Sequence, residues 1–280
     1  MPKRLISSLR PHIDRFPLIG STYRRIRDQL DFMAEPIATP WGFKLSGNAA
    51  MATGAFEPKQ TEFVRKILPE VDVLVNVGAN VGYYCCHALS LGTPVIAFEP
   101  VERNLRYLCR NIKINGWSNA EIYPIALSNS VGVSEIYGGN TGASLVKGWA
   151  GAPESYVTLV PSSTMDLVLG TRLQGKKVLL VVDVEGAEKW VVQGAKNMLI
   201  NNPKPTWVME ITTTDHQPDG VTINPYLKDV FELFFNNGYQ SFIFDREFAP
   251  ITLSDVDRVM KGIETFNTHN FIFSDSVVKM

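Results

Sequence analysis

Beyond about residue 70 the chain repeats one phrase: a short, nearly continuous apolar run, a turn, then a stretch whose apolar positions recur every three or four residues. The runs Val71–Val77, Pro94–Phe98, Ala120–Ile125, Val178–Val184 and Thr206–Ile211 are rich in β-branched residues. Such runs predict five parallel strands buried on both faces. Between them, Glu102–Ile114 places Leu105, Leu108, Cys109 and Ile112 on one helical face and Arg103, Arg106, Arg110 and Lys113 mostly elsewhere. Glu62–Leu68, Glu188–Leu199 and Pro225–Phe235 show the same helical period. Strand and helix in regular alternation predict a doubly wound α/β sheet. Gln240–Phe244 and Asn270–Phe273 read as two further strands that close it antiparallel, giving a mostly parallel sheet of about seven strands. The rhythm breaks over Ser128–Val160, where Gly, Ser and Val abound and Gly138-Gly139-Asn140 signals a turn; a hairpin-like insertion is expected there.

The first 60 residues lack the repeat. Short helical patterns run to Met33 and a Pro-rich stretch with Trp41-Gly42-Phe43 follows as strand or loop. Residues 1–60 therefore read as an N-terminal helical extension capping a domain of residues 61–280. Its first 30 residues hold Lys3, Arg4, Arg10, Arg15, Arg24, Arg25 and Arg27 against Asp14 and Asp28. A solvated helical face is the ordinary explanation, and a peripheral membrane or partner contact is the alternative. Over the whole chain 27 Lys and Arg meet 28 Asp and Glu, which removes the electrostatic ground for a nucleic-acid partner. Pro11, Pro17 and charges interrupt the apolar stretches near the N-terminus, and no run approaches the ~20 residues that cross a bilayer. Cys85, Cys86 and Cys109 form no CxxC pair. They read as small core residues of a cytoplasmic protein.

Chemistry concentrates at the ends of the expected strands. The first ends in Asn76-Val77-Gly78-Ala79-Asn80-Val81-Gly82 and runs into a helix, so its glycines lie where a cofactor approaches backbone and a helix N-terminus. The next ends at Glu99, at a spacing where an acid accepts both ribose hydroxyls of an adenosine. The turn is GxNxG, without the GxGxxG that faces a dinucleotide pyrophosphate. S-adenosylmethionine, which has none, suits it better than a nicotinamide cofactor, although an NAD(P)-dependent oxidoreductase remains the rival.

The fourth strand ends in Asp183-Val184-Glu185-Gly186-Ala187-Glu188 and the fifth in Glu210. Carboxylates at the carboxyl edge of an open sheet face the ligand crevice. Asp183, Glu185 and Glu210 are candidates to take a proton from an acceptor hydroxyl, or, for Asp183 and Glu210, to hold Mg²⁺. The Asn/Asp-Pro-Pro-aromatic turn associated with amine methylation of a base is absent. Glu188 falls in a first helical turn, where an acid is ordinary. His216, beside Asp215 in the loop after the fifth strand, is a candidate general base set against the commoner solvated histidine. His87 and His269 read as structural.

Together, NVGANVG, AFEP, NIKIN, ALSNSVG, VVDVEGAE and MEI resemble the FkbM family of methyltransferases over roughly residues 54–273. The resemblance implies a class I methyltransferase (Rossmann-like) fold, S-adenosylmethionine as cofactor, and O-methylation of a sugar, glycan or small natural product. It implies cofactor contacts at Gly78, Asn80, Gly82 and Glu99, puts Ala126, Leu127 and Ser128 near the adenine, and puts Asp183 and Glu185 at the active centre. Asn76 stands where the family usually has Asp, so a contact to the cofactor's positive end loses its negative charge. That departure leaves room for a catalytically silent binding module.

Overall fold

The computed structural model describes residues 29–139, 141–244 and 248–276. After a helical turn over residues 29–33, a hairpin of β1 (Ile37–Ala38) and β2 (Lys44–Leu45) leads to α1 (Ala49–Thr53) and α2 (Pro58–Ile67). The repeating part follows as β3 (Val73–Val77), α3 (Tyr83–Ser90), β4 (Val95–Phe98), α4 (Glu102–Ile114) and β5 (Ala120–Tyr123). The insertion is β6 (Ala126–Leu127), β7 (Gly132–Tyr137) and β8 (Val157–Ser163). The chain then forms α5 (Met165–Leu169), β9 (Val178–Val182), α6 (Glu188–Gln193), α7 (Lys196–Leu199) and β10 (Thr206–Glu210). It ends with α8 (Leu227–Phe235), β11 (Gln240–Ile243), β12 (Ala249–Ile251), α9 (Leu253–Met260) and β13 (Asn270–Ser274).

Eight strands make the main sheet in the order β12-β11-β13-β10-β9-β3-β4-β5. The five expected parallel strands pair in parallel, and β13 enters antiparallel between β10 and β11. The architecture is the doubly wound, Rossmann-like sheet that the pattern predicts. The expected seven strands miss β12, whose Ala-Pro-Ile carries no strand period. Pro250 is tolerated there because β12 is an edge strand.

Alternation within each strand assigns the two faces. Val73, Val75 and Val77 of β3 pack with Met165, Val191 and Phe231 from α5, α6 and α8. Leu74 packs on the other side with Phe63, Cys86 and Leu108 from α2, α3 and α4. Phe43, Leu45, Met51 and Ala52 belong to that second cluster, so the segment ahead of residue 61 is built into the same body. Residues 1–28, with most of the basic segment and the helical patterns expected there, lie outside the described residues, as does Asn140. Among the described residues no helix is long and apolar enough to cross a membrane.

Two expectations are corrected. In α4 the buried positions are Asn104, Tyr107, Leu108, Asn111 and Ile112, and Cys109 is exposed, whereas Cys85 and Cys86 are buried as expected. The face turns because Asn111 is needed inside. Its Oδ1 accepts from Ser46 N at 2.8 Å, and its Nδ2 donates to Ser46 O at 3.0 Å and Val81 O at 2.8 Å. A buried amide with these bonds ties β2 and the glycine turn to α4. The single helix expected over Glu188–Leu199 is broken at Gly194, whose carbonyl accepts from Asp166 N. Asp166 then caps α7 through Lys196 N and Asn197 N, both at 3.0 Å.

His87 is structural, as the sequence suggests. It is fully buried, with ring centroids of Trp41 at 4.3 Å, Tyr83 at 4.6 Å and Phe43 at 5.1 Å. Arg65 Nη1 lies 2.8 Å from its Nδ1. Burial, reinforced by the Arg65 charge, pushes its pKa down to about 3.

Candidate active site

The chain leaves β3 toward β4 on one side, while β9 lies on the other, so β3 and β9 form the switch point where an open α/β sheet carries its crevice. A cleft opens there with about 550 Å³ of atom-free space, part of it open to solvent. Gly78, Asn80, Glu99, Ala126, Leu127 and Asp183 line it, and Ile136, Ala143 and Leu145 of the insertion roof it. The roof residues carry no recognisable signal in the sequence.

Gly78 is required by space as well as by backbone shape. Its φ is +74°, and a Cβ there would lie 1.8 Å from the carbonyl oxygen of Asp183. Asn80 follows with φ +52°, and its backbone N–H donates to Glu99 Oε2 at 2.7 Å. Glu99 Oε1 accepts from Val101 N at 2.8 Å. The acid expected on a ribose is thus also the clamp that holds the glycine turn against β4. An ionised carboxylate has about four acceptor positions, and with Asn104 Nδ2 a third donor at 3.5 Å, Glu99 keeps about one for a ribose hydroxyl. Asn80 Oδ1 is buried in the cleft wall without a hydrogen-bond partner. These features fit an adenosyl cofactor: a glycine cradle, a ribose acid and an unsatisfied amide oxygen.

Three other expected contacts sit differently. Gly82 has φ +86°, but the space a Cβ would fill is occupied by Leu108 Cδ1 at 2.5 Å, so this glycine serves the packing of α3 on α4. Ser128 is used within the insertion, its N–H donating to Ser163 O at 2.8 Å. Asn76 is 2% exposed and points between sheet and α3. Its Nδ2 donates to Val181 O at 3.2 Å, and Cys85 Sγ donates to its Oδ1 at 3.4 Å.

The bond to Val181 accounts for the amide, because a carboxylate there would face the Val181 carbonyl with no proton to offer. Asn76→Asp is therefore expected to cost about 1–3 kcal/mol at pH 8. Burial raises the carboxyl pKa in the folded state, so the variant's stability should fall as pH rises from about 4. Much of the loss should be recovered at pH 5, which thermal unfolding at the two pH values would show.

At the end of β9, Asp183 lines the cleft, with its backbone N–H bonded to Val77 O at 3.0 Å. Its Oδ1 is closed to solvent and has no hydrogen-bond partner. Burial, then the charges of Glu210 and Glu185, pushes its pKa well up. Glu185 takes φ +54°, and its Oε2 accepts from Trp149 Nε1 at 2.8 Å and lies 3.7 Å from His216 Nδ1. Ser144 Oγ donates to the Glu185 carbonyl. Gly186 lets Trp149 sit against this turn, since a Cβ there would meet its ring at 2.5 Å. Trp149, missed in the sequence, thereby locks the insertion onto the acidic turn. Glu188 lies in the first turn of α6, as expected, and its Oε1 accepts from Gly186 N at 2.9 Å. His216 is half exposed beside Glu185, and His269 Nε2 lies 3.1 Å from Asp215 Oδ2.

Glu210 at the end of β10 pairs in register with Asn270 of β13. Asn270 Nδ2 donates to Glu57 Oε1 at 3.1 Å, which brings a residue from ahead of α2 to the same edge. No signal in the sequence singled out Glu57. Among the described residues no group of three or more His, Cys, Asp or Glu side chains is arranged to hold a metal ion. The Asp183–Glu210 pair expected for Mg²⁺ is thus not part of a larger group of that kind.

Burial, ahead of every other influence, raises Glu99 and Glu188 to about 7 and Glu210 to about 8. Carboxyls raised in the folded state contribute stability that is present below the unfolded value near 4.5 and is lost as pH rises through the folded one. His87, depressed, acts oppositely but only below about 6.5. The ligand-free protein should thus melt at a higher temperature at pH 6.5 than at pH 8.5. Glu210→Gln should flatten that slope, and an unchanged slope would count against a buried, raised Glu210.

A family model described as the methyltransferase FkbM domain matches residues 76–241, more than half of the chain. No curated protein matches it. Among solved structures, the ribosomal protein L11 methylase of Lactobacillus delbrueckii subsp. bulgaricus is 8% identical, with 76% of each chain covered and a TM-score of 0.39. Fibrillarin of Aeropyrum pernix, in complex with natively bound S-adenosyl-L-methionine, is 14% identical, with 74% of this chain and 67% of that one covered and a TM-score of 0.39. Monomeric WbdD is 11% identical over 84% of this chain but only 43% of its own, with a TM-score of 0.42. At these scores none of the three bears on activity.

Proposed function

The chain belongs to the FkbM methyltransferase family, and on that premise we propose that it methylates a hydroxyl of a sugar, glycan or small natural product, with S-adenosylmethionine as donor. The observation that carries the hydroxyl reading is the carboxylate wall at the acceptor end of the cleft, where Asp183 has an oxygen without a partner. Within the class I methyltransferase fold, Gly78, Asn80 and Glu99 hold the adenosyl part and Ala126 and Leu127 flank the base. When bound, S-adenosylmethionine supplies an electrophilic methyl on a sulfonium. Asp183, beside Gly78, accepts the proton of the acceptor hydroxyl as its oxygen attacks in line. Glu210, raised to about 8, holds or passes on that proton near neutral pH. Glu185 and His216 border the acceptor.

Mg²⁺ takes no step in this proposal, because Asp183 takes the hydroxyl proton directly. The balanced charge of the chain favours a small or glycan acceptor over a nucleic acid, and the three free cysteines suit a cytoplasmic setting. The family match favours a methyl donor over the nicotinamide alternative.

The test is transfer of tritiated methyl from S-adenosylmethionine to a pool of hydroxyl acceptors, with and without EDTA. A product whose label survives mild alkali and is not on nitrogen supports a methyl ether. Label on an amine or in an alkali-labile ester would sink the hydroxyl reading. Binding of S-adenosylhomocysteine without transfer to any acceptor would favour a silent module.

A further inference from the structure

We infer that residues 141–151, between β7 and β8, form a clasp over the bound cofactor, and that Trp149 is the positioning residue that fastens it through Glu185. The inference deepens the reading above and rests on its S-adenosylmethionine donor.

Thr141, Ala143 and Leu145 line the cleft together with Gly78 and Glu99, so a ligand there lies against this segment as well as the glycine turn. Little apolar packing secures the segment. Ala143 and Leu145 are only partly buried, and they pack on a small cluster of Ala126, Ile136 and Val160 that is separate from the two main cores. Trp149 is 2% exposed yet belongs to none of the three clusters. It is buried against the turn after β9, where Gly186 leaves the space for its ring. An element with so little share in the cores opens at a lower free energy than they do.

Polar bonds do the fastening instead. Trp149 Nε1 donates to Glu185 Oε2 at 2.8 Å, Ser144 Oγ donates to the Glu185 carbonyl, and Ala150 N donates to His216 O at 2.8 Å. Two of these end on Glu185, which lines the cleft itself and so anchors the segment at the ligand. Gly142 runs past the other oxygen of that carboxylate, a Cβ there lying 3.9 Å from Oε1. The indole bond is the one of the three that ends on a carboxylate, the stronger class of acceptor. When it breaks, the Tyr137–Ser144 bridge still holds the base of the segment, so the clasp swings without the insertion unfolding. Ala150 and Gly148, whose Cβ position lies 3.4 Å from Pro218, also join the segment to the loop after β10. Closing over the cofactor therefore sets the loop that carries His216. Release of the demethylated cofactor requires the clasp to open, and the effect of the Trp149 bond falls on dissociation more than on association.

The experiment measures dissociation of S-adenosylhomocysteine from the immobilised protein by surface plasmon resonance. Trp149→Phe keeps a ring beside Gly186 but has no N–H to donate, and should release the ligand about tenfold faster while the ligand-free protein melts within a few degrees of wild type. Glu185→Ala removes the acceptor of the same bond and should also speed release. The double variant should be slower than the product of the two single effects predicts, because both substitutions break one contact. In hydrogen exchange, S-adenosylhomocysteine should protect the amides of residues 141–151 in wild type and much less in Trp149→Phe. If Trp149→Phe does not fold, Ser144→Ala cuts the neighbouring tether to Glu185 and should itself speed release. Unchanged or slower release in these variants, independent effects in the double variant, or no protection of residues 141–151 on binding overturns the clasp and leaves the donor reading standing. Failure of S-adenosylhomocysteine to bind the wild-type protein overturns both.

Discussion

Gly78→Ala will abolish S-adenosylhomocysteine binding and destabilise the protein by about 3 kcal/mol or more. The added Cβ would stand 1.8 Å from the Asp183 carbonyl oxygen. That oxygen belongs to backbone held in place, because Asp183 N donates to Val77 O across the β3–β9 pair. Relief requires β3 and β9 to part at the edge where the cleft begins. Positive φ alone is a smaller cost, and Gly92→Ala separates the two effects. Gly92 has φ +85° with nothing within 4 Å of its Cβ position, so that variant should lose only about 1 kcal/mol and bind normally. Thermal unfolding and calorimetry on both variants check the pair. Wild-type affinity in Gly78→Ala would exclude the glycine turn as the cofactor cradle.

Asp183→Asn should lower kcat by about 10²- to 10⁴-fold while leaving S-adenosylhomocysteine affinity within a few-fold. An amide keeps the shape but has no basic oxygen to take the proton of the acceptor. Stability should move the other way. Burial and the neighbouring Glu210 and Glu185 charges disfavour the ionised aspartate, so a neutral isostere relieves repulsion and the variant should melt no lower than wild type at pH 8. Loss of rate together with retained binding and stability is a combination that a merely structural aspartate would not give. Activity within tenfold of wild type would move the base to another carboxylate, with Glu210 the first to be tried.

The strand ends were readable because they depend on local pattern. β-branched runs specify buried parallel strands, and the positions of Gly78, Glu99 and Asp183 follow from where those runs stop. The helix faces were less secure. Asn111 carries no hydrophobic signal, yet three bonds to backbone from distant segments pull it inside and turn Cys109 out. Gly82 resembled a ligand contact in the sequence and proves to make room for Leu108, since only the packed structure shows which atom fills a missing side chain.

By itself, then, the sequence determined the alternating α/β architecture, the glycine turn with Glu99 beside it at the cleft, and the acidic ends of the fourth and fifth strands. These are encoded in periods of two to four residues and in spacings along one strand–turn–helix unit. Tertiary structure alone decided that the insertion roofs the cleft through Trp149 and its neighbours, that the Asn76 amide bonds to the Val181 carbonyl, and that Glu57 reaches the edge beside Glu210. Each of those outcomes depends on contacts between residues far apart in the chain, whose energies come from burial and from which polar groups find partners, and no local pattern records them.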